Sequence, residues 1–147
     1  MKKLIILLSL VAVLGISMTA QVLNHSDLNS GFKLKGHFTA YMCKDGILYH
    51  VGDTLNIGTP SSGETFTYIV NSNMGFSQII SSDVFPPMDI RESNSLVVIK
   101  NIKLWGKKKN GYLVLFGVRT TQKFLPSTYD IRIECAVSNG EIVTNFN

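Results

Sequence analysis

From Leu96 to Thr120 the chain reads LVVIKNIKLWGKKKNGYLVLFGVRT. Two runs rich in β-branched and aromatic residues, Leu96 to Trp105 and Tyr112 to Thr120, flank Asn110-Gly111. Asn-Gly is the favoured dipeptide where both residues of a two-residue hairpin loop take positive φ. A loop of those two residues sets Trp105 opposite Phe116 and Leu104 opposite Gly117. One face then collects Val97, Ile99, Trp105, Val114, Phe116 and Val118. The other collects Leu96, Val98, Ile102, Leu104, Leu113 and Leu115. Both faces are apolar through the middle, so both are expected to be covered, with the hairpin at the centre of a sheet.

The chain upstream reads the same way. Phe38, Ala40 and Met42 alternate with Thr39, Tyr41 and Cys43, and Lys44-Asp45-Gly46 follows as a turn. Ile47 to Val51 returns, Gly52-Asp53 turns again, and Thr54 to Ile57 alternates polar and apolar. Gly58 to Gly63 is a Gly/Pro/Ser loop. Thr65 to Val70 is a further strand, with Phe66, Tyr68 and Val70 on one face. Between residues 71 and 95 the pattern weakens. Ser77 to Ser81 fits a short strand, while Phe85-Pro86-Pro87 and Arg91 to Ser95 fit a long loop, because proline lacks the N–H of a central strand. Strands every eight to twelve residues with turn residues between them predict an all-β domain. The expected form is a small barrel or sandwich of about six to eight mostly antiparallel strands.

Near the end, Asp130 can cap a short C-terminal helix over Ile131 to Asn139, stopped by Asn139-Gly140. A strand through Tyr129, Ile131 and Ile133 is the rival for its first half. No repeat divides the sequence, so residues 32–147 are expected to form a single β domain.

The N-terminus has a different character. Met1-Lys2-Lys3 precedes the apolar run Leu4 to Ile16, and Ser17-Met18-Thr19-Ala20 leads to Gln21. That order predicts a secretion signal over residues 1–20. The run is short for a membrane-spanning helix, and no cysteine follows it to accept a lipid. Residues 21–31 are polar and expected to be a flexible leader; Asn24-His25-Ser26 within it matches a glycosylation acceptor. Fourteen basic and ten acidic residues give +4, and loss of Lys2 and Lys3 with the signal brings the balance to +2. So small a charge selects no partner class. The expected location is the periplasm, cell surface or extracellular space. In such a compartment Cys43 and Cys135 can bridge, adding roughly 4–5 kcal/mol on the chain-entropy account. The alternative is two separate free thiols.

The most specific surface feature is basic. Lys100, Lys103, Lys107, Lys108, Lys109, Arg119 and Lys123 occur with no acid among them. Trp105, Lys107, Lys108, Lys109 and Tyr112 at the hairpin tip are the candidate binding residues. Their partner would be an anionic glycan, a lipid headgroup or an acidic protein surface, and export argues against nucleic acid. The bland alternative is a solvated tip whose lysines discourage edge-to-edge pairing. The loop over residues 83–95 is a weaker second candidate.

Catalytic patterns are poor. His37, Cys43 and His50 have no recognised zinc spacing, and a nucleophile would need Cys43 activated by one of those histidines. Asp45, Asp53 and Glu64 could supply paired carboxylates to a small secreted hydrolase, but turns recruit aspartate in any case. Gly58 to Gly63 is no phosphate loop, and neither metal nor cofactor is expected.

Two stretches, Val51 to Gly58 and Tyr129-Asp130-Ile131 through Ala136 to Gly140-Glu141-Ile142, resemble small exported bacterial proteins of uncharacterised function. The likeness covers about a sixth of the chain after the signal. It implies an envelope or secreted location and supplies no activity and no site residues. The expectation is therefore a non-enzymatic binding or structural envelope module. A secreted hydrolase and an accessory subunit of an envelope complex are the alternatives.

Overall fold

The computed structural model describes residues 21–30, 34, 37–72, 86–107, 109–121 and 127–144. Along these run β1 (Val22–Asn24), β2 (Ala40–Met42), β3 (Leu48–His50), β4 (Thr54–Ile57), β5 (Ile69–Asn71), β6 (Leu96–Lys107), β7 (Gly111–Thr120), β8 (Thr128–Arg132), α1 (Ile133–Ser138) and β9 (Ile142–Val143). Two short 3-10 turns, His25–Asn29 and Ile90–Glu92, complete the described elements. The expected signal over residues 1–20 and the expected strand over Ser77 to Ser81 lie outside the described residues.

Among the described residues the protein is all-β apart from one short α-helix. A six-stranded antiparallel sheet has the order β5-β8-β7-β6-β4-β9, and a three-stranded sheet has the order β1-β2-β3. Among the described strands only β1 and β2 run parallel. The long β6–β7 hairpin is central to the larger sheet, as its apolar runs predict. The two layers meet through aromatic rings. Phe116 of β7 receives Tyr41 and Tyr49 edge-on, at centroid distances of 6.0 and 5.5 Å. Such edge-to-face pairs set the positive rim of one ring on the negative face of the next.

The hairpin register differs from expectation. Ile102 stands opposite Phe116, Leu104 opposite Val114 and Trp105 opposite Leu113, and the pairing shifts between Ile99 and Asn101. A one-residue bulge flips every side chain beyond it to the other face. Ile99 and Ile102 thus both point inward with Val97, Val114, Phe116 and Val118. The opposite face is only partly covered: Leu96, Trp105 and Leu113 are exposed, and Val98 and Leu115 half-buried. Burying Ile102 in place of Trp105 keeps an aliphatic side chain in the core and leaves the indole in water.

The bulge also marks a change of neighbour along β6. Before it β6 pairs with β4, the Gly52-Asp53 turn closes on Ile99, and beyond it Phe38 bridges to Ile102. On the far side β7 pairs with β8 only as far as Leu115. Residues 103–107 of β6 and 111–114 of β7 therefore pair only with each other among the described residues. They form a two-stranded ribbon that continues past its described neighbours, with Leu104 and Tyr112 half-buried against the core.

Several local expectations change. Residues 21–30, read as a flexible leader, carry β1 and a 3-10 turn, with Leu23 and Leu28 buried. The strand expected over Thr65 to Val70 is reduced to β5, with Ile69 buried in place of Val70. Its first residues turn back instead, through reciprocal backbone hydrogen bonds between Ser62 and Thr65. At the C-terminal end both rival readings hold in part. Residues through Arg132 belong to β8, and the helix begins only at Ile133. Asp130 is consequently a strand residue rather than a cap.

Candidate functional site

The tip of the ribbon is built by its turn. Asn110 N–H donates to the carbonyl of Lys107 at 2.9 Å, and Gly111 follows at φ +81°. Asn110-Gly111 thus closes a loop longer than two residues. Lys109 thereby falls in the turn, next to Lys107 at the end of β6, and both are exposed. Gly106 sits just inside, at φ +118°, where a Cβ would lie 2.4 Å from the carbonyl oxygen of Gly111. Only glycine fits that backbone conformation and that close approach together.

Trp105 is 63% exposed and its cross-strand partner Leu113 is 39% exposed. Directly opposed residues share one face of the ribbon, so indole and isobutyl stand side by side in water. Lys103 and Leu115 form the next pair on that face. Lys103 is held by Asp130, Nζ to Oδ1 at 2.9 Å. Lys107 and Lys109 are exposed at the tip, and Tyr112 is half-buried against the core. A shallow groove of about 590 Å³ runs between Leu104, Trp105, Lys107, Asn110, Tyr112 and Leu113. Trp105, Lys107 and Tyr112 thus line one groove, with Trp105 and Tyr112 on alternate faces of the ribbon and Lys109 exposed in the turn; Lys108 lies outside the described residues.

Comparison with protein-family models, curated proteins and solved structures finds no match. The chemistry available to this protein must be read from its own side chains.

The other sequence candidates disperse. Cys43 is buried and Cys135 half-buried, and both are free thiols, so the bridge considered for them is not formed in this structure. His37 and His50 are exposed. Among the described residues no group of three or more His, Cys, Asp or Glu converges where a metal ion could be held. Asp53 accepts the backbone N–H of His50 at 2.7 Å, the local service a turn asks of aspartate. Asp45 and Glu64 are exposed. In the 83–95 loop, Asn71 N–H donates to Pro86 O and Met88 N–H to Ile69 O, so the segment runs along the outer edge of β5. Asp89 caps the Ile90–Glu92 turn by accepting Arg91 N–H at 2.9 Å. Its carboxyl is held down at about 2, by Arg91's side chain first and its backbone second. Among the described residues no helix is long and apolar enough to cross a membrane.

Two carboxylates that sequence reasoning passed over do structural work. Glu134, at the start of α1, accepts Tyr41 OH at 2.6 Å and Lys44 N–H at 3.1 Å on Oε1. His25 Nδ1 lies 3.2 Å from the same oxygen and 3.0 Å from Tyr41 OH. Burial, then the Glu134 carboxylate, pushes the Tyr41 phenol far above its ordinary value. Three segments distant in sequence are thereby pinned at one oxygen. Glu141 is fully buried. It accepts Ser61 N–H, Ser61 OH and Thr67 N–H on Oε1, and Tyr68 N–H on Oε2. A buried carboxylate is tolerable only with such a set of donors. The available signal was the Ser-rich loop, whose free N–H groups need an acceptor; nothing local says which acid supplies it.

Proposed function

We propose that this is an exported binding module, without catalytic machinery of its own, that holds an anionic partner at the tip of the β6–β7 ribbon. One observation carries this: the single tryptophan of the chain stands exposed beside Leu113 among lysines. An exposed indole paired with a second exposed apolar side chain makes a contiguous apolar patch rimmed by charge, the kind of surface that marks an interaction site. The lysines give the tip one sign of charge. They carry no acid between them in sequence, and among the described ones Lys103 is paired, with Asp130. The signal-like N-terminus supports the export reading, in which the tip meets the anionic polymers and surfaces that abound outside the cytoplasm.

The experiment is a titration with heparin as a soluble polyanion, followed by the emission of Trp105. Saturable binding that weakens with added salt is expected, because the attraction is between exposed charges. Lys107→Ser/Lys109→Ser should weaken it by roughly tenfold or more, on about 1 kcal/mol for each exposed cation near a strong anionic surface. Full-strength binding by that variant would move the site elsewhere. For the location, intact mass of protein recovered from the source cell envelope should lack residues 1–20.

A further inference from the structure

We infer that the anionic partner is a lipid bilayer surface, into whose headgroup layer the ribbon tip inserts Trp105 and Leu113. This rests on the proposal that the tip binds anions and narrows it to one class. Three features select lipid over a soluble polyanion or an acidic protein. The ribbon extends beyond its neighbours, pairing only with itself past Leu115 and Ile102 among the described residues. A tip of that shape reaches a plane before the rest of the sheet does. Next, the exposed cross-strand pair is apolar, Trp105 with Leu113. Indole favours the boundary between headgroups and acyl chains, and leucine the hydrocarbon just beneath. Finally, Lys107 and Lys109 lie at the turn beside that pair, and lysine stems can lie along apolar surface while the amines reach lipid phosphates.

A soluble sulfated or phosphorylated ligand asks for something else. It needs directed donors converging on its oxygens, whereas the groove beside Trp105 sets four large apolar or aromatic side chains, Leu104, Trp105, Tyr112 and Leu113, against a single cation, Lys107. An acidic protein partner would meet an apolar wedge with no pocket of its own to receive it. A bilayer supplies phosphates at the surface and hydrocarbon below, which is the order in which the tip presents amines and wedge. The charge match therefore points to anionic rather than zwitterionic lipid.

The test uses the full protein without its first twenty residues and vesicles of phosphatidylcholine with or without phosphatidylglycerol. Cosedimentation and Trp105 emission are read together, with heparin as the soluble comparison. Because Trp105 is the only tryptophan, its emission reports the tip directly. The expected result is cosedimentation and a blue shift with the phosphatidylglycerol vesicles, at least tenfold weaker with phosphatidylcholine alone and reduced by salt. Trp105→Ala should reduce vesicle binding about tenfold while leaving far-UV circular dichroism unchanged, since the side chain it removes is mostly in water. Lys107→Ser/Lys109→Ser should abolish the preference for the anionic vesicles.

Heparin binding without vesicle binding would overturn the lipid assignment and leave the anion-binding tip standing. Vesicle binding with unshifted emission and no effect of Trp105→Ala would overturn tip insertion. Failure to bind either probe would overturn both proposals.

Discussion

Glutamine in place of Glu141 keeps the side-chain volume and removes one charge and one acceptor. In the folded protein Oε1 takes three donors, Ser61 N–H at 3.3 Å, Ser61 OH at 2.5 Å and Thr67 N–H at 2.6 Å. Oε2 takes Tyr68 N–H at 2.9 Å. The amide oxygen of glutamine can serve only one of these sides. With the oxygen on the three-donor side, the NH₂ group faces Tyr68 N–H, leaving a buried donor without an acceptor at a cost of about 1–3 kcal/mol. Each of the three remaining bonds drops from the charged to the neutral range, about 1 kcal/mol apiece. Relief of the carboxylate's own desolvation offsets part of this. The net expectation for E141Q is a loss of about 2–4 kcal/mol, against a total of about 5–15 kcal/mol for an ordinary domain. In urea that is a midpoint lower by about 1–2 M. The probe should be far-UV circular dichroism, because the lone tryptophan is already in water when the chain is folded. E141A, which removes all four acceptor contacts, should lose more than E141Q. A midpoint for E141Q indistinguishable from the parent's would refute the idea that this carboxylate holds the 61–68 segment in place.

Alkali should act through the buried phenols. Tyr49 is pushed up to about 12 from 10.0, by burial first and then by the charges of Cys43, Glu134 and Asp45. The folded state therefore favours its neutral form. The contribution to stability is complete below pH 10 and is lost as the pH rises from 10 towards 12; tyrosinate absorbance and circular dichroism should change together there. Phe116→Ala removes the ring that Tyr41 and Tyr49 both meet, and should cost about 3–5 kcal/mol in the same urea assay. Gly106→Ala should strain the tip by about 1–3 kcal/mol. Amide exchange should then quicken between Lys103 and Leu115 while the rest of β6 and β7 stays protected.

The β6–β7 hairpin was legible because its signal is local: two β-rich runs and a turn between them. So were the turns at Gly46 and Gly52 and the helix stop at Asn139-Gly140. The register was not, because a bulge between Ile99 and Asn101 changes which residues face inward without changing composition. The consequence was largest for the candidate site. The two-residue loop sets Trp105 on the inward face with Val114 and Phe116, and its exposure comes only with the shifted pairing. The N-terminal segment misled for the opposite reason. Residues 21–30 are polar on average, yet Leu23 and Leu28 are buried, β1 pairs with β2 and His25 reaches Tyr41 and Glu134. Glu134 and Glu141 gave no sign of their roles, since their partners lie many residues away.

That separation has a consequence for how the molecule is made. Glu134 reaches back 90 residues to Lys44 and 93 to Tyr41, and Glu141 reaches back 80 to Ser61. Contacts of such range form late and slow the search for the native state. A chain emerging from a ribosome cannot make these contacts until Glu134 and Glu141 have followed. Until then the strand around Tyr41 and the 61–68 segment remain unlatched, and a chain paused at that stage exposes the surfaces they will later cover.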